Sequence, residues 1–445
     1  MTATANPFLM GNYAPVSDER TDEQLEVEGQ IPAELRGRYL RIGPNPYAMP
    51  DGPYHWFIGD GMVHGIELGD GRANWYRNRW VRTDEIADAM GEPHVEGPAQ
   101  PMYDASNTNV LGHAGRVLAL TEGAIPYELS PTLDTKWRQD FGGPLPGGLT
   151  AHPKIDPVTG ELNAFTYWFE EPFCYYHLVD AQGKLVRTEP ITLPRAVMMH
   201  DFAVTREHVV FFDFPVVFDL DVMPFPFRWE DSHQARVGVM PRSGGDADIT
   251  WIDIDQCYVF HPMNAYEDGG SIVVDVPRHP TMFATKGELV EGPNRGGPPA
   301  LHRWTIDVAA GKVRDELVDE RGQEFPRVNE TLLMSKHRYG YAVQVETADA
   351  FEGSTYLKHD FDRGTVEQHS FGPRSAPGEF VFVPAAGGTS EDDGWLMGFV
   401  YDAAADTSSF QIIDAHDFTA GPVAVVKLPR RIPFGFHGNW VPDPR

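Results

Sequence analysis

Four histidines stand in short, strand-like contexts along this chain: His152 in GGLTAHPKIDP, His200 in AVMMHDFAV, His261 in YVFHPMNAY and His437 in PFGFHGNWVP. They are 48, 61 and 176 residues apart, so no single helix face can bring them together. A shared site needs a closed fold that carries distant strands to one centre, as a β-propeller does where the inner strand of each blade ends at the axis. Taken singly, a histidine is more often a satisfied structural residue. Taken together, neutral imidazoles suit iron, zinc or copper. Four of them, with no carboxylate or thiolate, would leave an octahedral ferrous ion two open positions.

The rest of the chain supports an all-β reading. Runs of alternating or continuous apolar residues recur between turn signals: GRVLALTEG, LNAFTYWF, HVVFFDFPVVFD, SIVVDVP, YGYAVQVE and SSFQIIDA. DPVTGEL (156–162), DAQGKLV (180–186) and DVAAGKV (307–313) each place a turn between two such runs. The 44 glycines and 38 prolines suit many short strands broken by turns. One four-stranded unit per roughly 50 to 65 residues is compatible with six to eight blades. The chain reads as one long domain spanning 1–445, opened by a polar arm (1–30). The irregular stretches 84–106, 221–249 and 284–300 exceed ordinary hairpin loops and are expected to build a cap.

Acidic residues outnumber basic ones 65 to 36, for a formal charge of −29, which argues against nucleic acid and against electrostatic attachment to anionic lipid. Only Cys174 and Cys257 are present, so neither a disulfide framework nor a cysteine metal knuckle is expected, and a reducing cytoplasm fits. MTATANPFLMGNYAPV has neither the basic nor the apolar region of a signal peptide. No apolar run approaches membrane-spanning length. A nucleotide cofactor is not expected either, for no Gly-rich phosphate loop follows a strand.

Several ordered motifs resemble those of the carotenoid cleavage oxygenase family nearly end to end. They are RYLRIGPNP, HWFIGDGMVHGIEL, YRNRWVRT, NTNVLGHAGRVLALTEG, the four histidine motifs, EFPRVNE and GEFVFVP. The resemblance implies a seven-bladed β-propeller with a loop- and helix-rich cap over an axial metal site. It implies one Fe(2+) per chain on His152, His200, His261 and His437, and oxidative cleavage of a conjugated carbon–carbon double bond by O2 to aldehyde or ketone products. It also marks Glu122 in LALTEGAIPY, Glu324 in QEFPRVNE and Glu379 in APGEFVFVP as carboxylates that hold His200, His261 and His437 in some pairing, leaving His152 without one. Each lies among apolar residues, where an unpaired carboxylate would be costly. Asp60, Asp201, Asn264 and Asn439 are expected to fix loops, and His55, His64, His113, His177, His302, His337, His359 and His416 to be structural.

For substrate, the stilbene and phenylpropene branch of the family typically has a phenol-binding lysine where this chain has Thr121. Its absence removes a strong partner for a phenolate oxygen and favours a carotenoid or apocarotenoid. Phe225 and Phe227, in MPFPFRW (223–229), are expected to contact such an apolar alkene, with Val222–Trp229 touching lipid modestly near the entrance. The segment is short, which keeps a soluble apocarotenal or an aryl alkene in view. A non-catalytic propeller scaffold and a zinc hydrolase are the remaining alternatives.

Overall fold

The computed structural model describes residues 6–100, 103–283, 297–347 and 352–443. Among them strands dominate, and the only α-helix is Asp84–Met90, capped by the Thr83 hydroxyl and by Gly91 in the left-handed region. The chain forms two compact units, Met1–Asp140 with Ser354–Tyr356 and Glu367–Arg445, and Phe141–Gly353 with Leu357–Val366.

In the first unit the eight residues of the Gly37–Pro44 strand are all buried, and their two faces serve two cores. Alternation along a strand sends successive side chains to opposite sides. Tyr39 therefore packs on Phe399 and Phe410, each at 5.1 Å, in a core shared with Met397, Ile412 and Val426. Leu40 and Ile42 point the other way, into a core with Val110, Val117, Ala119 and Tyr127. Burying one such side chain stabilises the fold by about 1.5–3 kcal/mol. The strand's neighbours are Gly61–Gly69 on one side and Gly438–Pro442 on the other, both antiparallel. Gly61 is required where it stands, since a Cβ there would lie 1.5 Å from the Ser106 carbonyl oxygen. Residues 1–30 supply two edge strands, Arg20–Asp22 against Arg72–Trp80 and Glu26–Gly29 against Ala424–Lys427.

The second unit opens with the four-stranded sheet Lys154–Ile155, Leu162–Tyr167, Phe173–Val179 and Leu185–Thr192. The sheet Ala203–Val204, His208–Asp213, Arg236–Pro241 and Thr250–Asp253 follows. A longer sheet then begins at Asn264–Asp268 and Ser271–Arg278. In it the 16-residue strand Lys312–Arg327 pairs with Ala300–Asp307 through its first part and with Tyr339–Gln344 through its last, with register shifts in both pairings.

All six runs expected to be strands form them, HVVFFDFPVVFD as two strands separated by Phe214 and Pro215. The three turn segments join the strands on either side of them. Of the helices expected in a loop- and helix-rich cap, the described residues of 84–106, 221–249 and 284–300 contain one α-helix, Asp84–Met90. In 84–106 the helix stops at Gly91, and Pro93, Gly97 and Pro98 follow within two turns. The stretch 221–249 is not irregular: it contains the strands Phe227–Trp229 and Arg236–Pro241, because aromatic and β-branched residues there find partners in Val216–Phe218 and His208–Asp213. Residues 284–296, most of the third expected cap segment, lie outside the described residues.

Candidate metal centre

A common placement rule governs the four histidines. His152, His200, His261 and His437 each stand one to three residues ahead of the edge strand of a sheet: Lys154–Ile155, Ala203–Val204, Asn264–Asp268 and Gly438–Pro442. Each imidazole thus projects from the point where an irregular approach becomes regular backbone, and strand pairing holds its Cα.

In the second unit three of these rings converge. His152 Nε2 lies 3.0 Å from His200 Nε2, which lies 3.2 Å from His261 Nε2. His152 and His261 are buried and His200 is half-buried. The orientation of His261 is set from behind: its Nδ1 meets Glu324 Oε2 at 2.7 Å, and Glu324 is fully buried. A carboxylate only accepts, so Nδ1 carries the proton and Nε2 turns a lone pair toward the other rings. Burial alone would raise the Glu324 pKa, but the imidazoles of His261 and His279 hold it well below the usual carboxylate range. The Phe325 N–H also donates to Oε2, at 2.8 Å, and His279 Nε2 to Oε1, at 2.9 Å.

Nitrogen ligands about 2.1 Å from an ion and at right angles to one another lie about 3.0 Å apart, whereas tetrahedral angles would separate them by about 3.4 Å. The 3.0 Å separation matches the right-angled value, and the 3.2 Å one lies midway between the two. A set of imidazole nitrogens at this spacing, with one tautomer fixed by a carboxylate, fits a divalent transition-metal ion.

In the first unit His437 repeats the arrangement. Its Nδ1 lies 3.1 Å from Glu379 Oε1, and the Gly438 N–H donates to Oε2 at 3.2 Å. The Tyr39 hydroxyl donates to the Glu379 carbonyl at 3.2 Å, and the His437 N–H to the Thr108 carbonyl at 3.1 Å. Glu324 and Glu379, singled out from sequence, are therefore paired with His261 and His437. Glu122 stands half-buried just beyond the Arg116–Leu120 strand.

Thr121, the residue before it, is buried, and its hydroxyl donates to Asn107 Oδ1 at 3.3 Å and lies 3.2 Å from the Thr108 hydroxyl. Phe227 is buried and Phe225 half-buried, their rings 4.8 Å apart. From Phe225 a run of rings leads to the histidines: Phe283 at 5.4 Å, then Phe260 at 6.3 Å, then His200 at 5.1 Å.

The loop-fixing residues behave as expected. Asp201 accepts the Phe202 N–H at 2.7 Å and the Lys154 ammonium at 2.8 Å; burial pushes its carboxyl up while Lys154 opposes that. Asn264 donates to the Ser335 carbonyl and accepts the Met334 N–H, Asp60 accepts the Tyr47 N–H, and Asn439 donates to Asn109 and the Val110 carbonyl. His55 caps the short Trp56–Ile58 turn, and burial holds its pKa down to about 3. His416 Nδ1 lies 3.4 Å from both Asp392 and Asp393; those carboxylates accept from the Ser390 hydroxyl and from the Thr389 and Ser390 N–H groups, Asp392 being buried and His416 exposed. Sequence reasoning missed His279 and Lys154 altogether. His279 sits in no distinctive motif and reaches the site only through strand pairing, whereas Lys154 lies just after His152 in GGLTAHPKIDP with nothing there to single it out.

Strands with histidines set at their leading ends define an all-β protein whose imidazoles could hold a metal ion. The family model for retinal pigment epithelial membrane protein matches residues 13–442. The chain is 42% identical to a carotenoid cleavage oxygenase of Mycobacterium tuberculosis, over 98% of each. Among solved structures it is similar to the lignostilbene dioxygenase of Pseudomonas brassicacearum, with a TM-score of 0.90 and 27% identity over 98% of this chain and 99% of that one. It is also similar to the cobalt-substituted apocarotenoid oxygenase of Synechocystis, with a TM-score of 0.84 and 30% identity over 97% and 98%. The chain belongs to the carotenoid cleavage oxygenase family. That family depends on non-haem iron and acts on apolar carotenoid substrates with O2, and these homologues imply an oxygenase.

Proposed function

We propose that this chain is a non-haem Fe(2+) dioxygenase that cleaves a conjugated double bond of a carotenoid or apocarotenoid. The observation that carries the reading is the convergence of three Nε2 atoms, one of them fixed in its tautomer by Glu324. His152, His200, His261 and His437 are the ligands of one ferrous ion. Glu324 and Glu379 hold His261 and His437, and Glu122 takes the same part for His200, leaving His152 without a glutamate.

The whole chain is one propeller domain. Seven blades follow if the two-stranded hairpin of Val216–Phe218 and Phe227–Trp229 is set aside and the longer sheet is divided at the Lys312–Arg327 strand, where one part pairs backwards with Ala300–Asp307 and the other forwards with Tyr339–Gln344. Bound iron supplies the activation of O2. The protein's own part is to keep the imidazoles neutral and oriented and to hold the alkene still in an apolar, water-poor channel. Phe225, Phe227, Phe283 and Phe260 line the approach, and Thr121 stands where a phenol-binding cation would be. Its hydroxyl is already engaged with Asn107, so it offers a hydroxyaryl ring no charged partner. Apolar contact then decides affinity, and at about 25 cal/mol per Å2 a polyene gains more than a single ring. Exposed Leu220 and Met223, beside the Val216–Phe218 and Phe227–Trp229 hairpin, support modest peripheral contact with lipid.

The likeness to the lignostilbene dioxygenase favours a second reading, cleavage of stilbene or phenylpropene alkenes. Aerobic incubation of the iron-loaded protein with β-carotene, apocarotenals, resveratrol and isoeugenol, with the aldehyde products identified, separates the two. We expect higher kcat/KM on the polyenes, and a shift toward the phenolic compounds in Thr121→Lys. Turnover of resveratrol or isoeugenol without any carotenoid cleavage would establish the second reading instead. Loss of both iron and turnover in each histidine-to-alanine variant is expected, and two fully active, iron-replete variants would end the ligand assignment.

A further inference from the structure

Glu324 and Glu379 both hold a histidine through one carboxylate oxygen, but they satisfy the other oxygen differently. Glu379 Oε2 accepts a main-chain N–H, that of Gly438. Glu324 Oε1 accepts from a side chain, His279 Nε2 at 2.9 Å, while Oε2 serves His261 and the Phe325 N–H. His279 is 1% exposed. Its backbone forms a bridge with Tyr258, with N–H to carbonyl distances of 2.8 and 2.9 Å, and its ring packs edge-on against Phe260 at 5.3 Å. The stretch that carries His261 is therefore the same stretch to which His279 is tied.

We infer that His279 is a positioning residue for the metal centre, acting through Glu324 on His261. The inference rests on the reading of His261 as an iron ligand. His279 Nδ1 has no hydrogen-bond partner among the described residues. An interior site that needed only bulk would be better filled by an apolar side chain, because a buried nitrogen without a partner is costly. The N–H that His279 offers to Glu324 is what the imidazole contributes there. With both oxygens engaged, the carboxylate cannot rotate about its last bond without breaking two interactions at once. That fixes the direction of the His261 Nδ1–H and, through the ring, of the Nε2 lone pair. Without His279 one buried oxygen loses its donor and the carboxylate is free to turn.

The test is a double-mutant cycle read by iron affinity in chelator competition and by the visible absorption bands of the cobalt-substituted protein. We expect His279→Leu to weaken iron binding about 10-fold, the lower end for changes to partners of metal ligands, and to shift the cobalt bands. His279→Gln keeps an N–H at similar reach and should retain near-native affinity and bands. In the Glu324→Gln background, His279→Leu should add little, because its route to the metal is already cut. Fully additive losses, or a glutamine variant as weak as the leucine one, would overturn the inference, and so would unchanged affinity in His279→Leu. The glutamine comparison decides the matter even if the leucine variant does not fold. Should His261→Ala and Glu324→Gln both bind iron as the native chain does, the ligand reading itself falls, and that outcome is distinct from a failure confined to His279.

Discussion

A carboxylate is the strongest neutral-imidazole orienter a protein has, because it accepts without competing as a donor and cannot tolerate the opposite tautomer. His261 with Glu324 and His437 with Glu379 both use this device. Replacement of Glu379 by glutamine leaves an acceptor but removes the charge, and it should weaken metal binding by roughly 10- to 100-fold; metal content after dialysis against a chelator measures it, and unchanged retention would remove Glu379 from the set. The two glutamates were legible through the motifs EFPRVNE and GEFVFVP that resemble the family's, but which histidine each one holds was not. Nor was His279. Its hydrogen bond with Glu324 joins residues 45 apart, and that contact depends on where two strands settle in register. Thr121 was legible as a missing cation, but its commitment to Asn107 and Thr108 was not, since those contacts cross from one strand to the approach of another.

Among elements, strands were easier to read than the segments between them. Period-two alternation and β-branched runs identify a strand wherever it pairs, as SIVVDVP and SSFQIIDA do. In the MPFPFRW segment Phe227 is buried, while the exposed apolar residues are Met223 within it and Leu220 just before it. Paired substitution of those two by serine should lower partition onto neutral lipid vesicles, with little dependence on salt; equal partition of the variant and native chains would rule out that surface. Gly61→Ala should destabilise the first unit by about 1–3 kcal/mol, since its methyl group meets a main-chain carbonyl that can only shift with its strand. Denaturant unfolding checks this, and a native midpoint would mean the neighbouring backbone yields more easily than its packing implies.

At the scale of the molecule, buried histidines give stability a pH dependence. Burial holds His177 down to about 3 and His337 to about 4, as it does His55, whereas an unfolded chain binds the same protons near pH 6.5. Between about pH 6.5 and 4 the unfolded state takes up protons that the folded state refuses. Stability is therefore intact above that window and falls as pH falls through it, by up to about 1.4 kcal/mol per pH unit for each group. Denaturant midpoints at pH 7, 5.5 and 4.5 should decline in that order, and a flat series would contradict the neutral state of these rings. The pairing of Gly37–Pro44 with Gly438–Pro442 has a consequence of another kind, in time. About 400 residues separate the partners, so at about 5–20 residues per second a ribosome needs about 20 to 80 s to deliver the second after the first. Throughout that interval the edge of Gly37–Pro44 lacks its neighbour, and His437, which immediately precedes Gly438, has not yet been made. On the proposed ligand set, His152, His200 and His261 are synthesised well before His437, so a complete set of four imidazoles would wait until His437 has been made.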